Sequence, residues 1–124
     1  MTAQFAVGGG ILLDAAAYRE WVALKPERLR ELVDNDAATT VALIISGRTD
    51  NTLMNMLRSQ MIGCALLADT DGVVRWATEG LNRSRRIGGE WAATERQWLW
   101  VLENPGRYLK YARQMKVFLN QLQG

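Results

Sequence analysis

The chain contains no histidine, one cysteine (Cys64) and two prolines in 124 residues. The missing histidine excludes Ser-His-Asp and Cys-His catalysis and any zinc site with a histidine ligand. A lone cysteine excludes an internal disulfide, so nothing calls for an oxidising compartment. Long apolar runs are also absent. None approaches the ~18–20 residues a bilayer span needs, and the N-terminus lacks the basic and apolar halves of a secretory signal. The expectation is a soluble, single-domain protein with no membrane association. Apolar residues make up 48% of the chain, enough for one core.

Net charge is small but unevenly spread. The net charge is +2. Residues 1–62 hold six basic and seven acidic side chains, and residues 63–124 hold nine basic and six acidic. After Glu103 there are four basic residues and no acid. The C-terminal part is therefore a candidate electropositive surface, against the plainer reading of a solvated helix face.

The pattern of apolar residues predicts an α/β fold. Phe5 and Val7 before Gly8-Gly9-Gly10 suggest a strand over 4–8. Asp14 stands where a helix cap belongs, ahead of Tyr18, Trp21 and Val22. Pro26 interrupts or restarts that helix, and Leu29, Leu32 and Val33 continue it until Asn35-Asp36. Residues 39–46, with Val41, Leu43, Ile44 and Ile45, read as a strand buried on both faces. A helix with Leu53, Met54, Leu57 and Met61 follows, then short strands over 64–68 and 73–77 separated by Asp69-Thr70-Asp71-Gly72. Residues 79–90 read as an arginine-rich loop, and helices over 91–103 and 107–122 close the chain around Asn104-Pro105-Gly106. The expected architecture is a small, mostly parallel sheet of three or four strands flanked by helices. It comprises a core over 1–78, the loop, and two C-terminal helices.

Several features invite a chemical reading. Gly8-Gly9-Gly10 lacks the rest of any phosphate-binding signature and reads first as a bend. Ser46-Gly47-Arg48-Thr49-Asp50, at the end of a predicted strand, resembles the second motif of haloacid-dehalogenase-type phosphatases. That family needs an Asp-x-Asp pair where this chain has glycines. A phosphate-handling enzyme using Asp14, Ser46, Arg48, Asp69 and Asp71 is the alternative function on these grounds. Asp69 and Asp71 are also what a tight turn prefers. Cys64, among Ala65, Leu66 and Leu67, reads as an inert core thiol. No catalytic residue, cofactor or metal is expected in the leading reading.

The stronger candidates lie after residue 80. Arg83, Arg85 and Arg86 offer planar forks suited to phosphate or carboxylate. Trp91, Trp98 and Trp100 crowd one short helix, and a partly exposed tryptophan suits a protein interface or a base-stacking site. Mutual burial of the final helices is the competing account. The last helix sets Tyr108, Tyr111, Ala112, Met115, Phe118, Leu119 and Leu122 at near-heptad spacing, with Lys110, Arg113 and Lys116 among them. It either docks on the core or pairs with a partner helix, as in a homodimer.

The block Val41-Ala42-Leu43-Ile44-Ile45, then residues 51–58, then Cys64-Ala65-Leu66-Leu67-Ala68, resembles the packaging and assembly factor of cystoviruses, bacteriophages with segmented double-stranded RNA. The likeness is a strand, a helix rich in Asn, Leu and Met, and a strand. It implies a BRCT-like fold and a non-enzymatic viral accessory protein of the virion inner core or host cytoplasm. It further implies a role in procapsid assembly and RNA packaging, with capsid or polymerase-complex proteins and single-stranded RNA as partners. No motif pins functional residues of that family onto this chain. The expected function is thus a binding and assembly protein working through Arg83, Arg85, Arg86, Trp91, Trp98, Trp100, Lys110, Arg113 and Lys116.

Overall fold

The computed structural model describes residues 19–47 and 51–123. Among those residues every regular element is a helix and no strand occurs, which overturns the α/β, BRCT-like expectation. In order, they are α1 (Arg19–Ala23), α2 (Pro26–Ile45), α3 (Asn51–Leu66), α4 (Thr70–Ile87), α5 (Gly89–Ala92), α6 (Glu95–Glu103) and α7 (Pro105–Gln123). The strand expected over 4–8, the glycine triplet, Asp14, Arg48 and Asp50 lie outside the described residues.

Helix α2 starts on Pro26, whose fixed φ and missing amide hydrogen suit the first helical position. It runs straight through Asn35-Asp36 and absorbs the run expected as a strand. Leu29, Val33, Ala37, Thr40 and Ile44 keep one helical stripe across the whole length. Buried Thr40 is satisfied inside the helix, its hydroxyl donating to the Asp36 carbonyl at 2.7 Å. The helix stops at Gly47, which takes φ +78°.

Helix α3 is the centre of the molecule. From Gln60 to Leu66 every residue is buried, as are Leu53, Met54 and Leu57. The second half of the helix, buried on all sides, needs neighbours on all sides, and α2, α4 and α7 pack against α3. Gly63 does not reset the chain. A Cβ there would lie 2.6 Å from Val33 Cγ2 and 3.1 Å from Trp21 Cζ3, so this glycine lets α1 and α2 press against the α3 backbone. Gln60 ties the pair by donating from Nε2 to the Val33 carbonyl at 3.0 Å.

The strand expected over 64–68 is the last turn of α3 and its cap. The Asp69 amide donates to the Cys64 carbonyl at 2.8 Å and the Ala68 amide to the Ala65 carbonyl at 3.1 Å. These are the paired bonds of a Schellman cap, with Ala68 at φ +59° in the position glycine usually holds. Asp69 also begins the next helix. Its Oδ1 accepts from the Gly72 amide at 3.0 Å, making it the N-cap of α4. Its Oδ2 accepts from Arg30 of α2 at 3.2 Å. Partial burial pulls the Arg30 pKa down, but hydrogen bonds to Asp69 and Asp34 outweigh it and leave it raised.

Helix α4 takes in both the expected edge strand over 73–77 and most of the expected loop over 79–90. Val73, Trp76, Ala77, Gly80, Leu81 and Ser84 form its buried stripe. It ends at Gly88, with φ +69°. Buried side chains from α1 through α4 and from α6 and α7 form one hydrophobic cluster.

Candidate functional site

Two of the arginines, Arg83 and Arg85, and the three tryptophans of residues 83–100 have structural work. Arg83 is mostly buried, 14% exposed, and pairs with Glu79 one turn back at 3.6 Å. Arg85 donates from Nε to Glu95 of α6 at 2.7 Å. Arg86 is exposed. All three sit on the last turns of α4 rather than on a loop. Trp98 is fully buried, with its ring over the Gly80 backbone and its Nε1 donating to Thr94 Oγ1 at 2.9 Å. Trp91 is half-buried and donates from Nε1 to Asn51 Oδ1 at the start of α3. Trp100 is half-buried against the core. None of the three stands out as an open stacking platform.

The basic residues of α7 are arranged differently. Tyr108, Tyr111 and Ala112 are buried and Met115 packs against them, so this face of α7 is docked on its own bundle. At 3.6 residues per turn, Lys110, Arg113 and Lys116 fall on the other side. Lys110 and Arg113 are exposed and Lys116 is half-buried. Together with Arg107 they make no ion pair with any described residue. The side chains of residues 118–120 and 122 lie outside the described ones.

Lys110, Arg113 and Lys116 converge on one groove of about 400 Å³. Its floor and far wall are Ala65, Leu66, Leu67 and Ala68 at the end of α3, with Pro26 at the start of α2. Gly106 and Leu109 of α7 complete the near wall. The groove is thus apolar below and cationic along one rim. The sequence marks the rim through the acid-free tail. It gives no signal for the opposite wall, because residues 26 and 65–68 meet α7 only through the tertiary packing.

The residues of the alternative enzymatic reading do not gather. Ser46 is the C-cap of α2, and its Oγ donates to the Leu43 carbonyl at 2.8 Å. Asp69 binds Arg30, sixteen positions earlier on that helix, which is roughly 24 Å along its axis at ~1.5 Å per residue. Asp71 is exposed in the first turn of α4. Among the described residues no group of three histidine, cysteine or acidic side chains could hold a metal ion. No described helix is long and apolar enough to cross a membrane. Cys64 is buried, and burial, followed by the nearby Asp69 charge, pushes its thiol up to about 11.

The chain matches no family model, no curated protein and no solved structure. The strand-helix-strand block behind the resemblance to the cystovirus assembly factor is helical throughout its described part, apart from the α3 cap.

Proposed function

We propose that this protein is a binding module whose contact surface is the cationic outer face of α7, and that its partner is an acidic protein. The observation that carries this reading is the clustering of unneutralised cations on one helix beside an apolar groove; Lys25, Arg75, Arg86 and Arg96 also pair with no described carboxylate but are scattered over other elements. Arg28, Arg30, Arg83 and Arg85 each have a carboxylate within the fold. Arg107, Lys110, Arg113 and Lys116 have none among the described residues, and three of them rim an apolar groove. Uncompensated charge of one sign beside a concave apolar surface favours a complementary partner and speeds its encounter. An acidic protein suits the site better than single-stranded RNA. Sequence-tolerant RNA binding draws on exposed aromatic rings as well as cations, whereas Trp98 is buried and Trp91 and Trp100 are half-buried against the core, away from α7's cations in sequence.

The test is fluorescence anisotropy with labelled polyglutamate at low salt, repeated as salt is raised. Binding should be measurable, should weaken with salt, and should fall at least tenfold in K110E/R113E/K116E. R83A/R85A/R86A should bind as the parent does. Absence of binding at low salt, or its loss in the second variant alone, would overturn the assignment.

A further inference from the structure

Resting on that reading, we infer that the groove beside α7 receives an amphipathic helix of a partner protein, with apolar residues on the floor and carboxylates along the rim. Gly106, Leu109, Lys110, Arg113, Lys116 and Val117 fall within an arc of roughly 120° on α7, opposite the buried tyrosines. Val117 is 52% exposed, so the apolar strip continues past the groove. From Gly106 to Val117 the face runs about 16 Å, or three helical turns. Two helices pack with axes ~8–10 Å apart, and the closest approach needs small residues. Gly106 supplies one, since a Cβ there would meet nothing within 4 Å.

The rim repeats every three residues, at 110, 113 and 116. A helix lying along α7 presents side chains at the same interval, so its acids can meet successive cations while its apolar stripe faces Leu66, Leu67 and Leu109. A small amphiphile fits less well. Small-molecule sites bury most of their ligand, whereas this groove is open along one side. A second copy of the chain is also a poor occupant. Its exposed acids that pair with no described residue, Glu20, Glu27, Asp71 and Glu103, lie singly on four different helices and form no row to match the rim.

The experiment uses the full chain and an 18-residue labelled helical peptide with leucines at i, i+3, i+4 and i+7 flanked by glutamates. The parent peptide should bind at least tenfold more tightly than its Glu→Gln or Leu→Ser versions, and more tightly than laurate or an oligouridine of equal charge. Gly106→Leu should weaken it at least fivefold without lowering the thermal melt, because a Cβ at this position meets nothing within 4 Å and leucine is the better helix former. If the Leu→Ser peptide binds as well as the parent, or Gly106→Leu has no effect, the floor is unused and the inference fails while the charge-based reading stands. If laurate or oligouridine binds more tightly, the occupant is wrong. If neither the peptide nor polyglutamate binds at low salt, the underlying reading fails as well. A peptide-independent dimer that occludes the groove would also sink the inference.

Discussion

Two arginine-rich stretches of this protein look alike on paper and differ in the fold. Residues 83–100 place Arg83 and Arg85 beside Glu79 and Glu95 and pack Trp98 onto Gly80. Residues 107–116 carry as much basic charge, with no acid in the helix and none brought to it among the described residues. The density of cations and aromatics is therefore a poor guide to a binding surface. What separates the stretches is whether the fold supplies partners: Arg83 and Arg85 have carboxylates while Arg86 and Arg96 do not, and no cation of residues 107–116 pairs with a described residue. The first closes the α4–α6 contact, and the second is left to something outside the chain.

The sharpest way to break this comparison is at Trp98. If residues 83–100 are structural, Trp98→Ala should cost about 3–5 kcal/mol in a urea melt, the range for emptying a buried aromatic site. A stable variant that had lost binding instead would move the interface to α6. Gly80→Ala should cost about 1–3 kcal/mol, because the added carbon would sit 2.4 Å from the Trp98 ring and α4 and α6 would have to part. On the other side, K110E/R113E/K116E should change stability by no more than about 0.5 kcal/mol, since surface substitutions away from packing rarely do more. Its large effect should be confined to the anisotropy measurement. Arg85→Ala should cost about 0.2–1 kcal/mol, as for other exposed ion pairs, and leave affinity unchanged.

Smaller effects probe the α3–α4 junction that forms the groove's far wall. Ala68→Gly should stabilise the fold by about 0.5–1 kcal/mol. Relief of a left-handed alanine is worth ~1–2 kcal/mol, less the ~0.5–1 kcal/mol that glycine loses in chain entropy. The Cys64 thiol is raised in the folded state, so its contribution is fully present below its ordinary pKa near 9 and is lost as pH climbs toward about 11. Urea melts across that window should show a decline that Cys64→Ala lacks. At pH 8 the native thiol should resist Ellman's reagent.

Some of this was open to reading in the sequence. The breaks at Pro26 and at Asn104-Pro105 mark real helix boundaries, and the acid-free tail marks the groove's rim. The expected sheet fails for physical reasons. A short apolar run such as Val41 to Ile45 suits a buried strand or a buried helix equally, and length alone separates them. Asn35-Asp36 looked like a stop, yet the stripe from Leu29 to Ile44 crosses it in register. In α3 the apolar residues surround the helix, so no periodicity is left to detect beyond Met61. The Asp69 to Gly72 stretch was read as a turn because turns and helix N-caps use the same carboxylate-to-amide hydrogen bond.

The burial of the second half of α3 on every side has a consequence for how the protein is made. Residues 60–66 are synthesised about 45 residues ahead of Tyr108, Tyr111 and Ala112, which lie in the helix that covers them. At ~5–20 residues per second that is roughly 2–9 s of translation. Throughout that interval the nascent chain carries an apolar rod with only part of its sheath. Slower synthesis over residues 67–112 should therefore lower the yield of soluble protein, and docking of α7 should restore cover to that segment.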